Sequence, residues 1–243
     1  MTSASRTVSR LTLLGLPGSG KGTYGSLLAS HLSVPILTAS AIMSSKMTPE
    51  LREVTKKGNL VPDAWIGGVM KDAVLSLGHG NGEEEEEGGV AGDASPRLEP
   101  AYILDGYPRT EGQAMQCLDD WEERIRTQLA VFIDVPKEVV LAKLSGRLVC
   151  VECGRGYNDV AVDEGGFDMP AMLPSNGSRS RCECGGCLRR RDDDTDAGVV
   201  EERLRVYEKQ TKPVIDLFAE RGKLYTFTPY RGVADIEKMY KFE

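Results

Sequence analysis

The stretch Gly15-Leu16-Pro17-Gly18-Ser19-Gly20-Lys21-Gly22-Thr23 constrains this chain more than any other. It follows Arg10-Leu11-Thr12-Leu13-Leu14, an apolar run of the length of a buried parallel strand. After it come Leu27, Leu28, Leu32 and Val34, whose spacing is compatible with one face of a helix. In a strand–loop–helix context such a loop cradles phosphate. Glycines let the backbone approach an anion and adopt positive φ, N–H groups at the helix start point into the loop, and a lysine reaches the outer phosphates. A turn that merely needed glycine would not place four glycines and a lysine at this spacing. The loop departs from the general pattern in one way: Gly22 follows the lysine where Ser or Thr is usual, and Thr23 comes one place later.

The rest of the composition narrows the class. A chain of 243 residues, 40% hydrophobic and 28% charged, has the make-up of a soluble globular protein with a sizeable core. A net charge of −7 argues against nonspecific binding of nucleic acid, although Glu83 to Glu87 supply much of it. No apolar run approaches the ~20 residues of a membrane span. The N-terminus is rich in Ser, Thr and Arg but short for a transit peptide, so the expected compartment is the cytoplasm, with the mitochondrion as the weaker alternative. Five of the six cysteines fall between Cys150 and Cys187 and belong to one local feature rather than a disulfide framework.

Along the chain, strands are expected at Arg10–Leu14, Ile36–Thr38, Ala101–Asp105, Leu129–Val135 and Lys223–Thr228. They alternate with a helix that starts after the glycine loop and ends at His31, and with helices at Glu111–Arg126, Pro136–Arg147, Val199–Arg221 (kinked at Pro213) and Val233–Tyr240. Alternation of this kind predicts an α/β fold, a five-stranded parallel sheet covered on both faces. Two stretches interrupt it. Residues 38–76 read as short helices, one of them capped by Thr48 with Pro49 in its first turn. Residues 148–192 are rich in Cys and Gly without periodicity. The division expected is core 1–37, lobe 38–76, acidic insertion 77–100 of solvated composition, core 101–147, lid 148–192 and core 193–243.

The second motif, Asp105-Gly106-Tyr107-Pro108-Arg109 followed by Gln113, leaves the C-terminal end of a strand, where open α/β sheets bind ligands. An aspartate there can hold Mg²⁺ through water, and an arginine just beyond the turn can grip a phosphate bidentately. With the phosphate loop this pair of motifs resembles the nucleoside monophosphate kinases, and most closely the adenylate kinase family of the long-lid type. Glycine after the loop lysine is what that family has. The resemblance runs through nearly the whole chain, outside about 78–100 and the middle of the cysteine-rich lobe.

The resemblance implies a reversible phosphoryl transfer between ATP and AMP with Mg²⁺, performed by a monomer with a monophosphate-binding lobe and an ATP lid. ATP contacts fall on Gly15, Pro17, Gly18, Ser19, Gly20, Lys21, Gly22, Thr23, Lys143 and Arg147. Lys143 stands where an arginine usually packs on the ATP adenine. The catalytic cations are Lys21, Arg109, Arg147, Arg203 and one of Arg190 or Arg191, between which the spacing leaves the choice open. The monophosphate site falls on Ala39, Ser44, Leu60, Val61, Gly106, Arg109 and Gln113, the last being the glutamine that reads adenine. Ala39 and Ser44 occupy positions that are usually Thr and Arg, and Lys46 is the nearest remaining cation in the sequence. Asp105 is the magnesium position. His31 and His79 are read as structural or surface residues.

Cys150-x₂-Cys153 and Cys184-x₂-Cys187 have the spacing of two zinc knuckles, with Cys182 as an alternative ligand, and some long-lid members hold a structural zinc there. Cys117 reads as a core residue. Two rival readings remain at this stage: a kinase for UMP, CMP or another monophosphate, and a regulatory nucleotide-binding module with slow turnover.

Overall fold

The computed structural model describes residues 8–78 and 99–242. The N-terminal residues 1–7, His79 and nearly all of the acidic insertion with Glu83 to Glu87 lie outside them.

The expected parallel sheet is present, with strand order β10-β4-β1-β3-β2. Strand β1 (Arg10–Leu14) lies between β3 (Tyr102–Asp105) and β4 (Leu129–Ile133); β2 (Ile36–Thr38) and β10 (Leu224–Phe227) form the edges. Because side chains alternate along a strand, β1 feeds both faces of the sheet. Leu11 and Leu13 pack with Tyr24 and Leu28 of helix α1 (Lys21–Leu32), while Leu14 joins Tyr102, Leu104, Met70 and Phe218 on the opposite face. Thr12, the polar residue in the middle of β1, is buried and donates its hydroxyl to the Tyr107 carbonyl at 2.6 Å. That bond ties the central strand to the turn that carries Arg109.

The lobe after β2 contains α2 (Ala39–Ser44), α3 (Pro49–Lys56) and α4 (Asp63–Ser76). Thr48 caps α3 as expected, and Gly58, with φ +85°, ends its turn.

Two expected helices are not continuous. In the first, α5 (Glu111–Met115) widens into a π turn at Gln116–Asp120 and stops at Trp121. Trp121 is buried and stacks on Tyr107 with ring centroids 5.9 Å apart, and the wider turn brings it there. Helix α6 (Lys137–Ser145) ends at Gly146, so Arg147 opens a strand rather than closing a helix.

The segment 148–192, expected to lack regular structure, carries short strands. β5 (Arg147–Cys150), β6 (Gly156–Asn158) and β9 (Leu188–Arg190) form an antiparallel sheet of order β6-β5-β9. β7 (Val162–Glu164) and β8 (Phe167–Met169) form a hairpin turned by Gly165 and Gly166, both at positive φ. The hairpin packs against the core. Val162, Phe167 and Met169 are buried in the same cluster as Val140 and Leu144 of α6, and the Asp168 N–H donates to the Tyr230 carbonyl at 2.8 Å.

Beyond the short α7 (Asp192–Thr195), helix α8 (Ala197–Val206) passes through a π turn at Tyr207–Thr211 into α9 (Lys212–Glu220). Pro213 has no N–H and crowds the turn before it, and the widened backbone is the form its expected kink takes. The chain closes with α10 (Ile236–Met239), where Tyr240 stacks on His31 at 3.7 Å. Among the described residues no helix is long and apolar enough to cross a membrane.

Candidate active site

The phosphate loop runs from the end of β1 to the start of α1, with Gly15, Gly18 and Gly20 at positive φ. A side chain on Gly15 would stand 2.7 Å from Ser19 Oγ and 2.8 Å from the Ile133 carbonyl, so the loop closes this tightly only with glycine there. Ser19 Oγ is buried and has no hydrogen-bond partner. A buried, unpartnered hydroxyl in a glycine loop at a helix start fits a polar ligand that the loop receives. Lys21 Nζ donates to the carbonyls of Gly15 and Leu16, both at 2.8 Å, which holds it over its own loop.

Burial pushes the Lys21 ammonium down to about 7; Asp105 opposes this, and the like charges of Arg109, Arg203 and Arg147 add to it. Arg109 in turn lies in the field of Asp105, Arg203 and Arg191, and Arg147 in that of Arg191 and Arg203. Five cations from five parts of the chain therefore lie in one another's field with one core carboxylate, in a protein of net charge −7. Asp105 ends β3, and its Oδ2 stands 3.8 Å from where a Cβ on Gly22 would lie.

The arginines are held by acidic residues of α7. Arg147 makes a bidentate pair with Asp194 at 2.5 and 2.6 Å. Arg191 pairs with Asp193 at 2.8 and 2.9 Å, and Arg203 reaches both carboxylates at 2.9 and 3.0 Å. Of the two candidate lid arginines, Arg191 shares this cleft and Arg190 does not. Arg190 donates to the Ser145 carbonyl and pairs with Asp159. Alternation along the strand accounts for the difference: Arg190 pairs across the sheet with Leu148, so Arg189 and Arg191 share the opposite face.

Lys143 is drawn away from the role its position implied. Its ammonium donates to the carbonyls of Val160, Met169 and Pro170 at 2.9 to 3.3 Å, anchoring the β7–β8 hairpin.

On the other side of the loop, Arg109 donates from Nε to the Gly106 carbonyl at 2.9 Å, and Thr211 in the π turn donates its hydroxyl to the Arg109 carbonyl. A Cβ on Gly106 would stand 3.0 Å from Arg109 Nη2 and 3.5 Å from Ala39, so α2 begins beside this arginine. Ala39 and Val61 are buried, Leu60 is half-buried and Ser44 is exposed. The Ser44 hydroxyl is engaged with the Ala41 carbonyl. Arg52 donates to the Ser44 carbonyl at 2.8 Å, which places a second cation where the sequence pointed only to Lys46. No periodicity or motif marks Arg52; the fold of α3 back onto α2 brings it there.

In the segment 148–192, the Sγ atoms of Cys150, Cys153, Cys182 and Cys184 all lie within 4.8 Å of one another. Cys187, expected from its spacing, is not in the cluster and Cys182 takes its place. The Cys182 N–H bonds the Gly186 carbonyl and the Gly185 N–H returns to the Cys182 carbonyl, a tight turn that sends residues 182 and 184 to one side. The Cys187 carbonyl accepts from Val151, and its backbone bridges Arg181 in the hairpin that leads into β9. A tetrahedron with Zn–S of about 2.3 Å has edges of about 3.8 Å. The Cys150–Cys184 and Cys153–Cys182 separations of 3.5 and 3.6 Å fit it closely and are far too long for disulfides. Cys117 is buried in the core, as expected.

Three kinds of neighbour agree with this geometry. The family profile described as "Adenylate kinase" matches residues 93–223. A protein of Arabidopsis thaliana described as "Probable adenylate kinase 6, chloroplastic" is 35% identical over 91% of this chain and 70% of its own length. An adenylate kinase of Acetivibrio thermocellus is 32% identical over 94% of both chains, and one of Clostridium tetani is 35% identical over 88% of both. On this identity and coverage the chain belongs to the adenylate kinase family.

Proposed function

We propose that this chain moves the terminal phosphoryl group of ATP onto AMP, reversibly, to give two ADP. The observation that carries the reading is the convergence of Lys21, Arg109, Arg147, Arg191 and Arg203 on a glycine loop with an orphaned buried hydroxyl. Phosphoryl transfer calls for positioning and charge neutralisation more than for a covalent nucleophile. Lys21 exchanges the carbonyls of Gly15 and Leu16 for the transferring phosphate. Arg147, Arg191 and Arg203 exchange Asp193 and Asp194 for phosphate oxygens, and Arg109 holds the monophosphate. Asp105 would hold, through water, the Mg²⁺ that accompanies ATP and neutralises its charge. Closure of the lid over this cleft excludes water, which would otherwise compete as acceptor.

The same reading gives residues 38–76 the acceptor lobe and the β5–β6–β9 sheet the lid. It also gives the four clustered cysteines one structural zinc that staples the lid. The reading also places the protein in the cytoplasm and makes it a monomer. An ADP-forming assay with ATP and each of AMP, CMP, UMP and GMP tests the activity and ranks the acceptors. ATP-dependent turnover of none of them would overturn the reading.

The loop lysine makes the affinity for ATP depend on pH. Below about 7 the ligand-free protein already carries the proton on Lys21, and above it the ammonium is lost. Bound phosphate favours the charged form, so binding at pH 8 draws a proton from solution, and affinity falls as pH rises through the ligand-free value by up to about tenfold per unit. Titration calorimetry in buffers of different ionisation enthalpy should give an uptake approaching one proton per ATP. A heat independent of the buffer would remove this account.

Ser44 is the second place where a number can be set. A charge-assisted contact to phosphate contributes about 1.5–3 kcal/mol, so an arginine at this position is worth roughly 10- to 100-fold in acceptor affinity. Ser44→Arg should lower the KM for AMP about tenfold or more with kcat changing less. An unmoved KM would mean that Arg52 or Lys46 already supplies that charge, which Arg52→Ala and Lys46→Ala separate.

A further inference from the structure

Asp63, the first residue of α4, is bound to the start of α5 on the core by contacts that the reaction as described does not use. Thr110 caps α5 and accepts the Gln113 N–H on its hydroxyl at 3.1 Å, while that hydroxyl donates to Asp63 Oδ2 at 2.7 Å. Gln113 is buried, and both ends of its amide are engaged. Oε1 accepts the Arg109 backbone N–H at 2.8 Å, and Nε2 donates to Asp63 Oδ1 at 2.7 Å. A backbone N–H can only donate and a carboxylate only accept, so the amide has one orientation. Turned over, it would set N–H against N–H and oxygen against oxygen. Gly112 belongs to the same arrangement, because a Cβ there would stand 3.0 Å from Asp63 Oδ2.

We infer that Asp63 is a positioning residue that locks the Gln113 amide and thereby restricts the acceptor to nucleotides whose base carries an exocyclic amino group beside a ring-nitrogen acceptor. The inference rests on the monophosphate-kinase reading, in which Gln113 faces the acceptor base. With one N–H and one oxygen lone pair in use, the amide has one N–H and one lone pair left, in fixed order. A 6-aminopurine or a 4-aminopyrimidine offers a ring-nitrogen acceptor beside an amino donor, which matches that order. Hypoxanthine, guanine and uracil offer a ring N–H beside a carbonyl, which reverses it. A freely turning amide would accept both kinds. The base cannot turn over instead, since its phosphate is held by Arg109, whose own backbone N–H fixes the same amide oxygen.

The experiment compares AMP with IMP, which differ at the base only in amino against oxo, through kcat/KM in wild type, Asp63→Asn and Gly112→Ala. The wild type should favour AMP by about 10²-fold or more, since a buried site that must leave polar groups unpaired rejects a substrate strongly. Asparagine can donate as well as accept, so Asp63→Asn frees the amide, and the AMP:IMP ratio should fall about tenfold or more while the KM for ATP stays put. Gly112→Ala, which keeps a good helix residue and displaces the Asp63 carboxylate, should move the ratio the same way. A merely structural tie would lower Tm and leave the ratio alone. An unchanged ratio in both variants overturns the lock, as does a wild type that prefers IMP. Should one variant fail to fold, the other decides. Absence of turnover with every monophosphate would bring down the kinase reading and this inference with it, which separates that failure from failure of the lock alone.

Discussion

Lys21→Ala should lower kcat by at least ~10³-fold, the scale of a single preorganised group that stabilises charge on a transferring phosphate. Among the described residues no other lysine is held over the loop carbonyls, and the arginines approach from the lid base and from the turn after β3. Fold should survive the change, because Lys21 contributes two hydrogen bonds to its own loop and a buried charge whose removal relieves desolvation. Steady-state kinetics beside a thermal melt separate the two effects. A variant with near-wild-type turnover would remove Lys21 from the chemistry and take the proton-uptake account with it.

The cysteine cluster sets up the second large effect. Cys182→Ser removes one of four converging sulfurs and should drop bound zinc from about one per chain to nearly none, whereas Cys187→Ser should keep it. The contrast is sharp because both residues flank the same Gly185-Gly186 turn. A methyl on Gly186 would come within 2.7 Å of Cys150 Sγ, so this turn sits directly against the sulfurs. The Tyr157 hydroxyl, 3.3 Å from Cys182 Sγ, and the Cys184 backbone hold the Cys182 thiol below its ordinary range, which favours the thiolate a metal requires. Metal analysis by mass spectrometry of the two purified variants settles the ligand set. Loss of zinc from Cys187→Ser with retention in Cys182→Ser would reverse the assignment.

The central sheet was legible because β1 is a short, largely leucine run buried on both faces, followed at once by the glycine loop. The cations gathered in the cleft were legible as residue types, but their partners were not. Arg191 is distinguished from Arg190 only by the register of β9 on β5. Spacing alone favoured Cys187 over Cys182, because it carries no information about the turn that Gly185 makes. The lid strands escaped notice for their length: three or four residues are too few for alternation to stand out. The β7–β8 hairpin did leave a signal, Glu164-Gly165-Gly166-Phe167, two glycines between short alternating runs. The second π turn follows from Pro213, which the sequence shows, but the first comes from a tertiary contact, Trp121 on Tyr107, that no local pattern contains. Arg52 on Ser44 belongs to the same class.

The pairing of Asp193 and Asp194 with Arg147, Arg191 and Arg203 bears on how the cleft responds to ionic strength. A bare cluster of cations would gather mobile anions from the buffer, and a nucleotide would have to displace them on entry. Here two tethered carboxylates play the part of those counterions at every salt concentration, and they remain attached after displacement. Arrival of a polyphosphate is then largely an exchange between a covalently linked anion and a diffusible one. Much of the screening that weakens the incoming anion weakens the resident one as well. Nucleotide affinity in this chain should therefore fall with added salt less steeply than the number of arginines alone implies, which ATP titrations at several ionic strengths would read.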